Sequence, residues 1–273
     1  MADMKERLNT MMDIRESLKQ RILILDGAMG TFIQSLGLDG STFHRGMFSD
    51  WPVSLVGNND VLCLSAPEVI ASIHRRYIEA GADIITTNTF SANRISQREY
   101  HCEAQARKMA LEGARIARQA ADECTERKIW VAGSMGPTSK SLSLAADMQE
   151  PARRAVDFDE MAAAYGEQAE ALVEGGADIL LLETCFDALN TKAALYAIQQ
   201  LNERLGYVVP VMVSVTINDR SGRTLTGQTL EAFYISIAHY PILSFGLNCS
   251  FGVVDLRPFV ERLAAMVPAY NSL

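Results

Sequence analysis

Six short apolar runs, each followed by a longer amphipathic segment, constrain the fold of this 273-residue chain more than any other feature. The runs are apolar on successive residues, which is typical of strands that are buried on both faces in a parallel sheet. They lie at 22–25, 82–86, 129–132, 177–182, 211–215 and 243–247. Such alternating units predict an α/β fold whose parallel sheet has right-handed crossovers.

The segments between the runs predict helices with recognisable ends. Ser65-Ala-Pro-Glu68 has the pattern of a capping box with proline in the first turn, and Gly81 marks the end of that helix. Residues 1–20 predict a short amphipathic N-terminal helix on the outside of the domain. The other helices are predicted at 97–124, 159–173, 188–205, 230–239 and 255–266.

The first turn, Asp26-Gly-Ala-Met-Gly30, favours one of two parallel architectures. A doubly wound dinucleotide-binding sheet would have the spacing G-x-G-x-x-G here, which this turn lacks. Polar residues instead follow most of the runs, as in barrels whose sites collect residues from many strand ends. We therefore predict a single domain over 1–273 of the (β/α)8 TIM-barrel type, truncated after about six β-α units, with a seventh strand starting within 268–273.

Composition and charge argue against several classes of protein. The net charge is −8, and lysine and arginine are scattered, which gives little support for nucleic-acid binding. The chain has no run of 18 apolar residues, so no membrane span is expected. An odd number of widely spaced cysteines, five in all, and a charged N-terminal segment favour a reduced, cytoplasmic protein over a disulfide-bonded secreted one.

All six runs lead into polar or glycine-containing clusters. These clusters are Asp26-Gly27, 86–90, 133–137, Glu183-Thr-Cys185, 216–218 and Asn248-Cys249. Because the carboxyl ends of parallel strands meet at one rim of a barrel, we expect the clusters to surround one cavity. Polar residues after all six strands predict a ligand site there.

Two carboxylates and two glycines in these clusters allow more than one interpretation. Asp26 and Glu183 suit acid/base chemistry or the binding of an ammonium group. Asp26-Gly27 also fits a tight turn that closes the first strand, whereas Glu183 follows four apolar residues and would be costly to bury unpaired. Gly27 and Gly30 suit either a plain turn or amides that bind a carboxylate.

Cys249 is a candidate nucleophile, metal ligand or inert thiol. A zinc site needs three or four protein ligands, and the chain has no C-x-x-C, Cys-Cys or H-E-x-x-H motif; Cys185 is predicted two strands away. No run contains a lysine, which argues against a Schiff-base aldolase. The four histidines lie off the strand ends and are predicted to be surface or packing residues.

Motifs in collinear order from about Arg21 to Met266 resemble the cobalamin-dependent methionine synthase family. The motifs are LDGAMGTFIQ, GNNDVLCLSAPEVI, GADIITTNTF, AGSMGPT, VEGGADILLLETCFDALNTKAA, DRSGRTLTGQT and FGLNCS. Betaine-dependent homocysteine methyltransferases share the barrel and some of the motifs. The GNND loop and SGRTLTGQT are more similar to methionine synthase.

The resemblance implies a zinc-dependent methyltransferase domain that activates homocysteine as a thiolate and transfers a methyl group to it from methylcobalamin, giving methionine. It implies that Cys249 is catalytic as a zinc ligand, with two further cysteine ligands missing from this chain. The substrate-binding residues that it implies are Asp26, Gly27, Ala28, Met29, Asn88, Gly133, Ser134, Glu183 and Asn248. Cobalamin and folate would bind to other domains of a full-length protein.

The implied chemistry has a physical basis, because a free alkyl thiol has a pKa near ~8.5 and binding to zinc deprotonates it in place. We expect the activity in the full-length protein and little zinc binding or turnover by this chain alone. A non-catalytic barrel fragment and a betaine-type homocysteine S-methyltransferase are the alternatives.

Overall fold

Helices and parallel strands alternate along the computed structural model, which describes residues 14–273. The strands are β1 (Ile84–Thr86), β2 (Trp130–Met135), β3 (Ile179–Cys185), β4 (Val211–Val215), β5 (Ser244–Leu247) and β6 (Tyr270–Ser272). The helices are α1 (14–20), α2 (Met29–Ser35), α3 (Gly40–Phe43), α4 (Leu62–Ser65), α5 (Pro67–Glu79), α6 (Arg94–Gln97), α7 (Ala106–Asp122), α8 (Phe158–Glu174), α9 (Ala188–Leu205), α10 (Leu230–Ile237) and α11 (Val253–Met266). The part of the predicted N-terminal helix before residue 14 lies outside the described residues.

The chain divides into two compact units. The first contains the described residues up to Ser134 together with Glu167–Ile179, and the second contains Met135–Gly166 and Leu180–Leu273. The single domain over 1–273 stays a prediction. No helix among residues 14–273 is long and apolar enough to cross a membrane.

In the first unit β1 pairs in parallel with β2, and the predicted first strand is shorter than expected. Residues 22–25 contribute one parallel bridge, between Leu25 and Ile84, although the amides of Asp83 and Ile84 also donate to the carbonyl of Ile24. Ile22 is 84% exposed and Ile24 54% exposed. The prediction that this run is buried on both faces was therefore wrong, whereas β1 and β2 are buried along their whole lengths.

An ion pair between the exposed Arg21 and the buried Asp83 holds the 22–25 run beside β1. Arg21 donates from both guanidinium nitrogens to the Asp83 carboxylate, at 2.7 and 2.8 Å, and the amide of Ile24 donates to the same carboxylate at 2.9 Å. These bonds hold the pKa of Asp83 below its ordinary value because Arg21 stabilises the charged form.

In the second unit β3, β4, β5 and β6 follow one another in parallel, in chain order. β6 pairs with β5 from Tyr270 to Ser272, which confirms the seventh strand expected within 268–273. The register between β3 and β4 shifts between Leu182 and Cys185, so the carboxyl end of β3 is irregular.

Most predicted helices are present, but two predictions about their ends were wrong. Ser65 is the last residue of α4 and does not cap α5, whose N-cap is Ala66 with no side-chain bond. The predicted helix 97–124 is interrupted, because α6 ends at Gln97 and two 3-10 turns precede α7. His101, with a left-handed φ of 56°, ends the first of these turns.

Asp60 and His74 are ionisable side chains that are buried in the first unit. Burial raises the pKa of Asp60 from 3.8 to about 7, although the amide of Ser91 donates to its carboxylate. Burial also lowers the pKa of His74 to about 4, because the imidazolium would be desolvated. The first unit therefore binds and releases protons at different pH values from the unfolded chain.

Replacing Asp60 with asparagine should stabilise the protein above pH 7. Between about pH 4 and 7 the folded state keeps the Asp60 proton and the unfolded state releases it, so this group's contribution to stability is lost as the pH rises. The stability of Asp60→Asn minus that of the wild type should grow through this window, by on the order of a few kcal/mol. Urea unfolding at several pH values measures this difference.

The comparison below about pH 3 is the internal control, because the wild-type carboxyl is then largely protonated in both states. The contribution of His74 is common to both proteins and cancels in the difference. A stability difference that is the same at pH 4 and pH 8 would contradict the buried, protonated state of Asp60.

Candidate active site

Asp26 is fixed at the end of the 22–25 run by the last residue of β1. Its carboxylate accepts hydrogen bonds from the Thr86 amide at 2.8 Å and from the Thr86 hydroxyl at 3.0 Å. The side chain is half-buried, and its negative charge helps burial to raise the pKa of Tyr77. Asp26 thus lies at the carboxyl end of the 22–25 run, as predicted, with its carboxylate held in one orientation.

The turn after Asp26 is exposed and packs against an aromatic ring. A Cβ atom at Gly27 would lie 2.9 Å from the Tyr77 hydroxyl oxygen, so the absence of a side chain lets the Tyr77 phenol approach. Ala28 is the N-cap of α2 without a side-chain hydrogen bond, and Met29 is the first residue of that helix. The amides of this turn therefore lie where α2 begins, beside the Asp26 carboxylate.

Asn88 is buried, and its side-chain amide forms hydrogen bonds to other residues of the first unit. Its Nδ2 donates to the carbonyl of Asn59 at 2.7 Å and to the sulfur of Cys63 at 3.5 Å. The Cys63 thiol in turn donates to the carbonyl of Asn88 at 3.1 Å. Asn88 thereby joins the end of β1 to the segment 59–63, which accounts for an asparagine at this position without a ligand.

Gly133 and Ser134 lie inside β2 and not in the predicted turn. A Cβ atom at Gly133 would lie 3.0 Å from Leu172 Cδ1 and 3.3 Å from Ala177 Cβ, so this glycine permits close packing of α8. The amide of Ser134 donates to the Thr87 hydroxyl at 2.9 Å, and its carbonyl accepts from Thr89 at 2.7 Å. These contacts differ from the expected role, in which the Gly133 and Ser134 amides faced a ligand.

In the second unit the end of β3 carries Glu183 in an irregular stretch of backbone. Glu183 is half-buried, and Thr184 has a left-handed φ of 58°. Left-handed backbone is unfavourable for a β-branched residue and costs about 1–3 kcal/mol unless the surroundings impose it. The next residue, Cys185, is buried, which raises the pKa of its thiol to about 12 and makes it a poor nucleophile or metal ligand.

The end of β5 exposes a thiol on a second left-handed stretch. Cys249 and Ser250 have φ angles of 61° and 63°, and Cys249 is exposed. The Cys249 sulfur accepts a hydrogen bond from Nδ2 of Asn248 at 3.1 Å, while the Ser250 and Thr216 hydroxyls are 2.9 Å apart. Of the five cysteines, Cys249 is the one classed as exposed.

Asn248 connects this thiol with the end of β3. Its Oδ1 accepts from the Thr184 amide at 3.1 Å and from the Ser214 hydroxyl at 2.7 Å, and its Nδ2 donates to the Thr184 hydroxyl at 2.8 Å. The structure thus brings Glu183-Thr184 and Asn248-Cys249 together within the second unit. Asp26, Asn88 and Ser134 belong to the first unit.

Sequence analysis missed Asp187, which fixes the loop after β2. Its buried carboxylate accepts from the Ser141 and Ser143 hydroxyls, at 2.5 and 2.7 Å, and from the Leu189 amide at 2.9 Å. Asp187 is the N-cap of α9, and an aspartate directly before a helical segment was a signal that could have identified it. No sequence signal marks the left-handed backbone of Thr184.

The donor set of the described chain does not make a metal site by itself. Among residues 14–273, no group of three histidine, cysteine, aspartate or glutamate side chains is placed to hold an ion. A zinc site needs three or four such ligands. Cys249 is exposed, but the described residues do not complete a metal site around it.

Nearly the whole chain matches one protein family. Residues 23–272 match the homocysteine S-methyltransferase family. The chain belongs to this family. It is therefore a methyltransferase domain whose substrate class includes homocysteine, which confirms the coarser part of the sequence-based assignment.

Solved structures of the Escherichia coli homocysteine methyltransferase MmuM have the same fold. The apo form has a TM-score of 0.68 at 21% identity and covers 94% of this chain and 82% of its own. The metallated form has a TM-score of 0.71 at 22% identity, with 93% and 83% covered. This likeness confirms an α/β fold of the (β/α)8-barrel type, and six parallel strands lie among residues 14–273.

Thiol labelling should distinguish Cys249 from the other cysteines. Because Cys249 is exposed and Cys63, Cys102 and Cys185 are buried, Cys249 should react with iodoacetamide at least about a hundred-fold faster than those three. Cys124, which is partly exposed, should react at an intermediate rate. Peptide mass spectrometry over a time course gives the rate at each site.

The Cys249→Ser variant is the matched control and should remove the fastest phase while the other rates stay the same. Fast labelling of Cys185 in the folded protein would show that the end of β3 is more open than the structure has it.

Proposed function

We propose that this chain is the homocysteine-binding part of a cobalamin-dependent methionine synthase, with Cys249 as one ligand of a zinc ion. The observation that supports this most is the exposed thiol at the end of β5, which is held by Asn248 in the Asn-Cys pair of the FGLNCS motif. Cys63 also accepts from an asparagine amide but is buried, whereas Cys249 is exposed and lies on left-handed backbone.

Homocysteine presents an ammonium group, a carboxylate and a thiol, and the chain offers a group suited to each. We assign the carboxylate of Glu183, which lies in the same unit as Cys249, to the ammonium group, since charge-assisted hydrogen bonds to carboxylates are strong. The roles of Asp26 and of the Gly27, Ala28 and Met29 amides in substrate binding stay predictions. Asn88 and the Ser134 amide already have partners within the first unit, so we no longer assign them to the substrate.

Zinc supplies one piece of chemistry when bound, which is to deprotonate a coordinated thiol near neutral pH. In this proposal Cys249 is one of three cysteine ligands of the zinc ion. The other two are not among the described residues. The chain's own contribution is thus to bind and orient the amino acid and to present the Cys249 sulfur. We assign the methyl donor, methylcobalamin, and folate to other domains of a full-length protein.

Zinc binding tests the assignment of Cys249. We expect the purified chain to bind zinc with a dissociation constant weaker than micromolar, because one thiolate does not retain the ion. The residual binding should disappear in Cys249→Ser and persist in Cys185→Ser, since the Cys185 thiol is buried. Competition with a chromogenic chelator measures both. Tight one-to-one binding by the wild type would contradict the single-ligand assignment.

Homocysteine binding tests the substrate residues separately from the metal. With the metal-free chain, Glu183→Gln should weaken homocysteine binding about ten-fold, because it removes a charge-assisted contact with the ammonium group. Glu203→Gln, an exposed position on α9, is the matched control and should leave binding unchanged. Isothermal titration calorimetry provides the constants, and equal affinities for wild type and Glu183→Gln would contradict the role of Glu183.

Turnover with betaine as the methyl donor tests the betaine-type alternative. We expect no turnover by this chain with either methylcobalamin or betaine. Methionine formed from betaine and homocysteine, followed by mass spectrometry, would favour the betaine-type alternative.

A further inference from the structure

The side-chain amide of Asn248 has no hydrogen-bonding capacity left for a substrate. A primary amide has two N–H donors and two acceptor lone pairs. The donors go to the Thr184 hydroxyl and the Cys249 sulfur, and the lone pairs go to the Thr184 amide and the Ser214 hydroxyl. This contrasts with the expectation that Asn248 binds the substrate, because a ligand contact would break one of these four bonds.

The orientation of this amide is fixed by chemistry. The backbone N–H of Thr184 can only donate, so the atom that faces it at 3.1 Å has to be the acceptor, Oδ1. The opposite atom is then Nδ2, which faces the Thr184 hydroxyl and the Cys249 sulfur. The bond to the sulfur therefore runs from the amide to Cys249.

The bonds from Asn248 end on residues with unfavourable backbone. Thr184 and Cys249 both have left-handed φ angles, and Thr184 is β-branched, so each conformation persists because its surroundings impose it. Two of the four bonds hold Thr184 and a third holds Cys249. The backbone N–H of Asn248 donates to the carbonyl of Val215, the last residue of β4, at 3.1 Å. This bond fixes the position of Asn248 beside the end of β4.

From this arrangement we infer that Asn248 is a positioning residue, which imposes the left-handed backbone at Thr184 and directs the thiol of Cys249 without contacting the substrate. Glu183 directly precedes Thr184, and Cys249 directly follows Asn248. The chemical role of this positioning therefore rests on the proposed function of Glu183 and Cys249. One side chain thus sets the orientation of the carboxylate assigned to the ammonium group and of the sulfur assigned to zinc.

The experiment is a comparison of Asn248→Ala, Asn248→Asp and Asn202→Ala by NMR and urea unfolding. Asn248→Ala removes all four bonds. Asn248→Asp keeps the acceptors for the Thr184 amide and Ser214 but loses the donors to the Thr184 hydroxyl and Cys249. Asn202→Ala is the matched control, because the Asn202 side chain accepts from the backbone amide of Val209. This bond lies before the amino-terminal end of β4, whereas Asn248 lies at the carboxyl ends of the strands.

The ¹³Cα resonances of Thr184 and Cys249 report the backbone conformation at these two residues. In Asn248→Ala both should move from values typical of left-handed or helical backbone towards values typical of strands. In Asn248→Asp the Cys249 resonance should move more than that of Thr184. In Asn202→Ala neither should move, although the urea midpoint falls.

Rescue by glycine tests the imposed backbone directly. Glycine adopts a left-handed φ without steric cost. Adding Thr184→Gly to Asn248→Ala should therefore recover at least half of the lost urea midpoint, and adding it to Asn202→Ala should recover none.

Native ¹³Cα shifts at Thr184 and Cys249 in a folded Asn248→Ala protein would overturn the inference, as would a double variant that is less stable than Asn248→Ala. If Asn248→Ala does not fold, the Asn248→Asp shifts decide, and the glycine rescue becomes the recovery of a folded protein in the double variant. None of these measurements uses homocysteine or zinc, so a chain that fails to bind homocysteine would refute the proposed function and leave this result standing.

Discussion

A buried parallel strand leaves polar backbone groups at its carboxyl end, and these groups need hydrogen-bond partners where the chain turns away from the sheet. In this protein side chains at neighbouring strand ends satisfy that need. The Asp26 carboxylate accepts a hydrogen bond from the backbone amide of Thr86. In the same way the Thr87 hydroxyl accepts from the backbone amide of Ser134, and the Asn248 side chain accepts from that of Thr184. The residues that a ligand could contact are therefore also the residues that terminate the strands, and a polar residue at a strand end is not by itself evidence of a binding role.

The alternation of strands and helices was predictable from the sequence because it follows from burial on both faces. The strands β1 to β5 lie within or next to the predicted runs, and α9 has the predicted limits. The 22–25 run was harder to interpret, because its composition is that of a buried strand while Ile22 and Ile24 are exposed in the described residues. The helix predicted at 97–124 failed because the pattern of apolar residues does not report a local break such as the left-handed His101.

The positions of the candidate residues were predictable from the sequence, but their hydrogen bonds were not. Residue type and spacing correctly placed Asp26, Glu183 and Cys249 at strand ends, while their roles stay predictions. The roles of Gly133 and Asn248 depend on contacts with residues distant in the sequence, namely Leu172 and Thr184. Propensity and spacing carry no information about such contacts, so an amide that is saturated in the fold has the same sequence signature as one that is open to a ligand.

The pairing of Thr184 with Asn248 also has an evolutionary consequence. A threonine in left-handed backbone is tolerated here with an asparagine 64 positions later that holds both its amide and its hydroxyl. If glycine replaces Thr184 first, Asn248 is no longer needed to hold the left-handed backbone. If Asn248 is lost first, the threonine stays in an unfavourable backbone conformation and the protein is destabilised. The order of substitutions is thereby constrained, and the two positions are expected to covary among descendants of a common ancestor.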